Sequence, residues 1–149
     1  MKTNAGRAIG AAIVVGSWLV AGGLGSCKDD RVSGPIVSVP SDVTLAVGEH
    51  ATIAPDRVEV GFRKIDGDSR CPVNVQCIWA GSAGVQLWLL PVGSRDSVFA
   101  GIAVEGGTGS VESLGYRITA TKLVPYPQNP GPIPQSDYRV TLRIEKRAG

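Results

Sequence analysis

Histidine occurs once in this chain, as His50, and cysteine three times. A histidine-based zinc or catalytic cluster therefore has almost no material to draw on. His50 follows Gly48-Glu49 at what reads as a strand connection, which suits a solvated turn histidine. Gly-x-Ser-x-Gly, Ser-x-x-Lys, His-Glu-x-x-His and Gly-x-x-x-x-Gly-Lys are all missing, so no local signature of a nucleophile, zinc site or phosphate loop is present. The cysteines are not spaced Cys-x-x-Cys, which removes the usual dithiol redox pattern. No stretch beyond residue 35 carries a long apolar stripe of period 3.6 with helix caps, and no internal repeat is evident. The expectation is a non-enzyme without metal or cofactor.

What the chain does have is period two. Val140, Leu142 and Ile144 alternate with Arg139, Thr141, Arg143 and Glu145, the pattern of a half-buried strand. The same alternation marks Val43, Leu45 and Val47, then Val58, Val60 and Phe62, then Val85, Leu87 and Leu89, then Val98, Ala100, Ile102 and Val104. A further strand runs from Ile118 towards Val124. Turn formers separate these runs at 47–49, at Asp66-Gly67-Asp68, at 92–94 and at 106–109. About seven or eight short antiparallel strands at this spacing predict an all-β domain, a single β-sandwich of general immunoglobulin-like architecture. The opening Val43-Thr44-Leu45-Ala46-Val47-Gly48-Glu49 is similar to the start of many bacterial immunoglobulin-like domains.

The first segment has a different character. Lys2 and Arg7 precede an apolar run from Ala8 to Leu24, and Leu24-Gly25-Ser26-Cys27 closes it with small residues before a cysteine. This order resembles the signal and lipobox of a bacterial lipoprotein. The resemblance implies removal of residues 1–26 and acylation of Cys27, which anchors the chain to a membrane through buried methylenes. Residues 27–35 then form a short polar tether, and 36–149 the sandwich; about 120 residues suffice for one core and not comfortably for two. Lys28 after Cys27 favours outer-membrane placement in a double-membraned envelope. Removing Lys2 and Arg7 also leaves acidic and basic side chains in balance. Nothing in that balance points to nucleic acid. Oligomeric state and the face of the membrane are left open by the sequence.

With Cys27 acylated, Cys71 and Cys77 are the remaining cysteines of an exported chain, and a disulfide between them is expected. The segment Asp68-Ser69-Arg70-Cys71-Pro72-Val73-Asn74-Val75-Gln76-Cys77-Ile78-Trp79-Ala80-Gly81, with Tyr126-Pro127 and Asp137-Tyr138-Arg139-Val140-Thr141-Leu142, resembles small bacterial lipoproteins without an assigned activity. Trp79 is expected to pack over the disulfide or the sandwich edge; exposed, it would instead be a binding anchor. Asp66, Asp68 and Ser69 read as a turn in preference to a calcium loop, since the further carboxylates are missing. The proline-rich stretch 125–134 reads as a stiff, polyproline-like connection before the last strand.

The function expected is that of a non-catalytic, membrane-anchored envelope lipoprotein acting as an interaction or structural module, with an envelope protein as its partner. Val73, Asn74, Val75, Gln76, Trp79 and Tyr126 are the candidate binding surface. Two alternatives stand beside it. One is an inhibitor of a protease or other envelope enzyme, presenting the cysteine loop or the proline-rich loop. The other is a small-ligand carrier with an apolar cavity between its sheets.

Overall fold

A computed structural model describes residues 34–106 and 108–147. The signal segment, Cys27 and residues 28–33 of the tether lie outside the described residues. Nine strands are formed: β1 Ile36–Ser38, β2 Ser41–Ala46, β3 His50–Ala54, β4 Val58–Asp68, β5 Ser82–Pro91, β6 Val98–Glu105, β7 Gly109–Ser113, β8 Tyr116–Val124 and β9 Arg139–Lys146. They build two sheets, in the orders β1-β3-β4-β5-β6 and β2-β9-β8-β7. A 3-10 turn at Gln135–Asp137 precedes β9, and no α-helix occurs among the described residues. The all-β sandwich expected from the alternation is the fold observed. Every ladder is antiparallel except β1 with β3, which is parallel.

The core forms because each period-two run turns one face inward. Val43 and Leu45 of β2 meet Val140, Leu142 and Ile144 of β9 within one sheet. Val60, Phe62, Val85, Leu87 and Leu89 supply the centre of the other. Two bulges keep the long strands in phase with the core. In β4 the register slips between Phe62 and Lys64, so the buried series 58, 60, 62 resumes at Ile65. In β8 it slips between Ala120 and Lys122, and the buried series 116, 118, 120 resumes at Leu123. One inserted residue reverses the parity of every later side chain, so each bulge returns an apolar residue to the inner face.

Two features differ from the sequence expectation. The described residues form nine strands instead of seven or eight, because β1 is only three residues long, β3 sets its buried Ala51 and Ile53 among His, Thr and Ala, and in β7 only Val111 packs on the core. The segment Asp66-Gly67-Asp68 is not a turn but the end of β4, paired with Gly84 and Ala83 of β5. The second bulge of β4, between Ile65 and Gly67, takes up Asp66 as the unpaired residue while Gly67 and Asp68 stay in the ladder, and the hairpin turns only after Cys71.

Candidate functional site

The β4–β5 hairpin outruns the sandwich at one end, and the sequence there builds a clamped tip. Beyond the last ladder pair, Ser69 N–H donates to the Ser82 carbonyl at 2.8 Å and Cys71 N–H to the Ala80 carbonyl at 2.8 Å. Cys71 and Cys77 then close the loop as a disulfide, with Cα atoms 5.9 Å apart, as expected. Gly81 has φ +69°, and a Cβ there would run into the Ser69 carbonyl; only glycine fits this crossing. Inside the loop, Val75 N–H donates to the Pro72 carbonyl at 3.1 Å.

The proline-rich connection between β8 and β9 lies against this loop and does not merely cross the end of the sandwich. Val73 N–H donates to the Pro127 carbonyl at 3.1 Å and Asn74 N–H to the Gln128 carbonyl at 3.4 Å. The Asn74 side-chain amide reaches Asn129 Oδ1 at 3.3 Å. Lower down, Gln135 uses its side chain as a short strand: its Oε1 accepts from Ile65 N–H and its Nε2 donates to the Ile65 carbonyl, both at 2.9 Å. That pair satisfies backbone groups beside the β4 bulge, which have no partner in β3. The cysteine loop and the proline-rich loop, separate candidates in the sequence, form one surface.

At the root of that surface is a buried charge pair. Arg70 grips Asp68 with two side-chain bonds, Nε to Oδ1 at 2.8 Å and a terminal nitrogen to Oδ2 at 2.6 Å. Two further guanidinium donors reach the Leu123 carbonyl at 3.0 Å and the Pro125 carbonyl at 2.8 Å. Tyr138 O–H donates to Asp68 Oδ2 at 2.9 Å, and Tyr126 lies with its ring centroid 5.0 Å from the guanidinium, within cation–π range. The side chains of Arg70 and Asp68 are 4% and 9% exposed. The pair therefore ties the β4–β5 hairpin to both ends of the proline-rich connection, Arg70 at its start through the planar guanidinium that lysine lacks and Asp68 at its end through Tyr138. Among the described residues, no buried side-chain nitrogen or oxygen lacks a hydrogen-bond partner.

The electrostatics follow from this packing. Burial alone would raise the Asp68 carboxyl, but bonds from the Arg70 side chain and backbone and from Tyr138, with the Arg70 charge, hold it below its usual value. Burial, reinforced by the bond to Asp68, pushes the Tyr138 hydroxyl up to about 12. The signs set two pH windows. A lowered Asp68 stabilises the fold above the unfolded carboxylate value, about 3.9, and that contribution is lost as pH falls through its folded value. A raised Tyr138 stabilises the fold fully below the unfolded phenol value, about 10, and that contribution is lost as pH rises towards 12. Chemical denaturation across pH is expected to show a plateau through neutrality with a fall at each side. Asp68→Asn should flatten the acid limb; an unchanged acid limb in that variant would contradict the assignment.

The candidate surface residues Val73, Asn74, Val75 and Gln76 are all exposed, and Tyr126 is exposed above Arg70. Trp79 does not pack over the disulfide or the sandwich edge as the sequence suggested. It is 82% exposed, and its neighbour Ile78 is 92% exposed. The physical reason is that the hairpin projects past the inner faces, so no apolar wall is left for the indole to cover. Ile78 was not among the expected surface residues, although it sits between Cys77 and Trp79 in the same stapled segment. Asp68 and Asp66 are consumed by Arg70 and Tyr138 and by Lys64 and Gln86. His50 is not a turn residue but opens β3, half-buried, with its ring 5.7 Å from Trp88.

A cleft of about 380 Å³ opens at the rim, between the end of β4 and the proline-rich loop, lined by Asp68, Arg70, Pro72, Pro127, Pro132 and Tyr138 among others. It lies beside the clamp and not between the sheets. Removing the staple should cost part of the tip's rigidity and little else. Cys71→Ser with Cys77→Ser is expected to lower unfolding free energy by about 2 kcal/mol, the closure entropy of so short a loop. A loss as large as a core truncation would show that the tip is part of the core. No family model, curated protein or solved structure matches this chain.

Proposed function

We propose that this chain is a membrane-anchored envelope lipoprotein, acylated on Cys27 after removal of residues 1–26, whose sandwich serves as a non-catalytic interaction module. The observation that carries the reading is the exposure of Ile78 and Trp79 on a tip held by a disulfide, by backbone pairing to a second loop and by a buried charge pair. Exposed aromatic anchors on preorganised loops bind with little further loss of entropy. Outer-membrane placement goes with Lys28 in the position after Cys27. The test is the mass of the N-terminal fragment of protein extracted from native membranes. Acylated Cys27 as the first residue is the expected result, with Cys27→Ala accumulating as uncleaved precursor. An unmodified, uncleaved N-terminus in the parent chain would contradict the anchor.

A second reading, inhibition of a protease or another envelope enzyme, is favoured by the exposure of Val73 to Gln76 within a stapled loop. The backbone weighs against its substrate-like form. The N–H groups of Val73, Asn74 and Val75 are already donated to Pro127, Gln128 and Pro72, which leaves few donors for a strand-like pairing with an enzyme cleft. Recognition by side chains at the tip fits the geometry better.

A further inference from the structure

We propose that the occupant of the exposed tip is the interfacial zone of the same bilayer that holds Cys27, so that the module touches its membrane twice. The inference rests on the lipid-anchor reading above and adds to it where the tip points. Three observations support it.

The first is charge. Residues 71–94 and 123–136, which include the whole cysteine loop and most of the proline-rich loop, contain no Asp, Glu, Lys, Arg or His. The charges that border the loop are the buried Asp68–Arg70 pair and Glu105, which lies opposite Ser82 and shares a surface cleft with Trp79. The other end of the sandwich carries Asp56, Arg57, Arg95, Asp96 and Lys146 at its turns and strand ends. The tip end also carries Glu49, Glu105, Asp137 and Arg139 at its other turns and strand ends, so it is the two loops themselves, and not the whole end, that enter an interface without desolvating ions.

The second is residue type. Ile78, Val73 and Val75 offer apolar side chains, while Trp79 and Tyr126 combine an apolar ring with a polar tip. Indole and phenol rings are enriched at the headgroup level of membranes for that reason.

The third is reach. β1 runs parallel to β3, and Gly34 N–H donates to His50 Nε2 at 3.4 Å. The described chain therefore begins on the side of the sheet facing the tip. From the row His50-Gly61-Trp88 to Ala80, β5 and its approach cover about 27 Å at strand rise. The residues from Cys27 to Gly34 span at most about 25 Å when extended. Even fully extended, the tether falls slightly short of that distance. An acylated Cys27 and the tip therefore meet one bilayer surface together when the sandwich leans toward its β1 edge, which brings the attachment point nearer that surface.

Removal of residues 1–26 leaves Trp79 and Trp88 as the tryptophans of the mature protein. Lipidated protein reconstituted into phosphatidylethanolamine–phosphatidylglycerol vesicles with brominated acyl chains reads the proposal through tryptophan emission. The expected result is a blue-shifted emission quenched by the bromines. That quenching should be lost in Trp79→Phe, kept in Trp88→Phe and lost in Ile78→Asp, whose exposed site leaves the fold intact. Water-like, unquenched emission from protein whose Cys27 is acylated by mass would overturn the bilayer contact, leave the anchor standing and return the tip to a protein partner. Unmodified Cys27 in the same sample would overturn both.

Discussion

Replacing Arg70 with alanine is expected to cost about 3–5 kcal/mol of unfolding free energy, the largest loss of any polar substitution in this chain. Truncation leaves the Asp68 carboxylate buried without its counter-charge. It also strips the Leu123 and Pro125 carbonyls of their donors. Each abandoned group carries its desolvation penalty, which is why breaking such a pair costs more than the pair contributes. Arg70→Lys should recover part of the loss, since the charge returns but the fork that spans Asp68 and two carbonyls does not. Arg70→Met with Asp68→Leu should recover more, because no charge is then left unpaired. Denaturant unfolding of the three variants checks the order. A loss below about 1 kcal/mol for Arg70→Ala, typical of solvated pairs, would contradict a desolvated clamp.

Gly81→Ala is expected to cost about 2–5 kcal/mol, summing left-handed strain of about 1–2 kcal/mol and overpacking of about 1–3 kcal/mol. Its φ is +69°, and the added Cβ meets the carbonyl of Ser69, backbone that the hairpin ladder holds in place. Gly48 provides the control. It too has positive φ, +89°, but a Cβ there has nothing within 4 Å, so Gly48→Ala should cost only the strain, about 1–2 kcal/mol. Thermal unfolding of both proteins separates the contributions. Equal losses would mean that the Gly81 crossing yields without cost.

Much of the sandwich was legible because a sheet face buried on one side must alternate. The runs in β2, β4, β5, β6, β8 and β9 announced themselves through Val, Leu, Ile and Phe at every second position. β1 and β7 did not, being short or nearly free of apolar side chains, and β3 hides two buried residues among His, Thr and Ala. Asp66-Gly67-Asp68 misled because local turn preference is a weak force against a ladder that takes up Asp66 in a bulge and pairs Gly67 and Asp68 with β5. Within the candidate site, the Cys71–Cys77 pairing was accessible from cysteine scarcity together with the expectation of export. The Asp68–Arg70 clamp was not, since its partners Leu123, Pro125 and Tyr138 are distant in sequence and are brought together by the fold. The exposure of Trp79 was misjudged for a related reason. Hydrophobicity says that a side chain prefers burial, whereas only the length of the hairpin beyond the sheets decides whether a wall exists to bury it.

The central claim is that the stapled tip, and not the charged opposite end, is the working surface. Site-specific photo-crosslinking in intact cells tests it most directly, with the reactive residue placed at position 79 or, as comparison, at position 95 in the β5–β6 turn. The account predicts strong adducts, to lipid or to a discrete protein, from position 79 and background from position 95. Equal adducts from both ends, or adducts from position 95 alone, would contradict it.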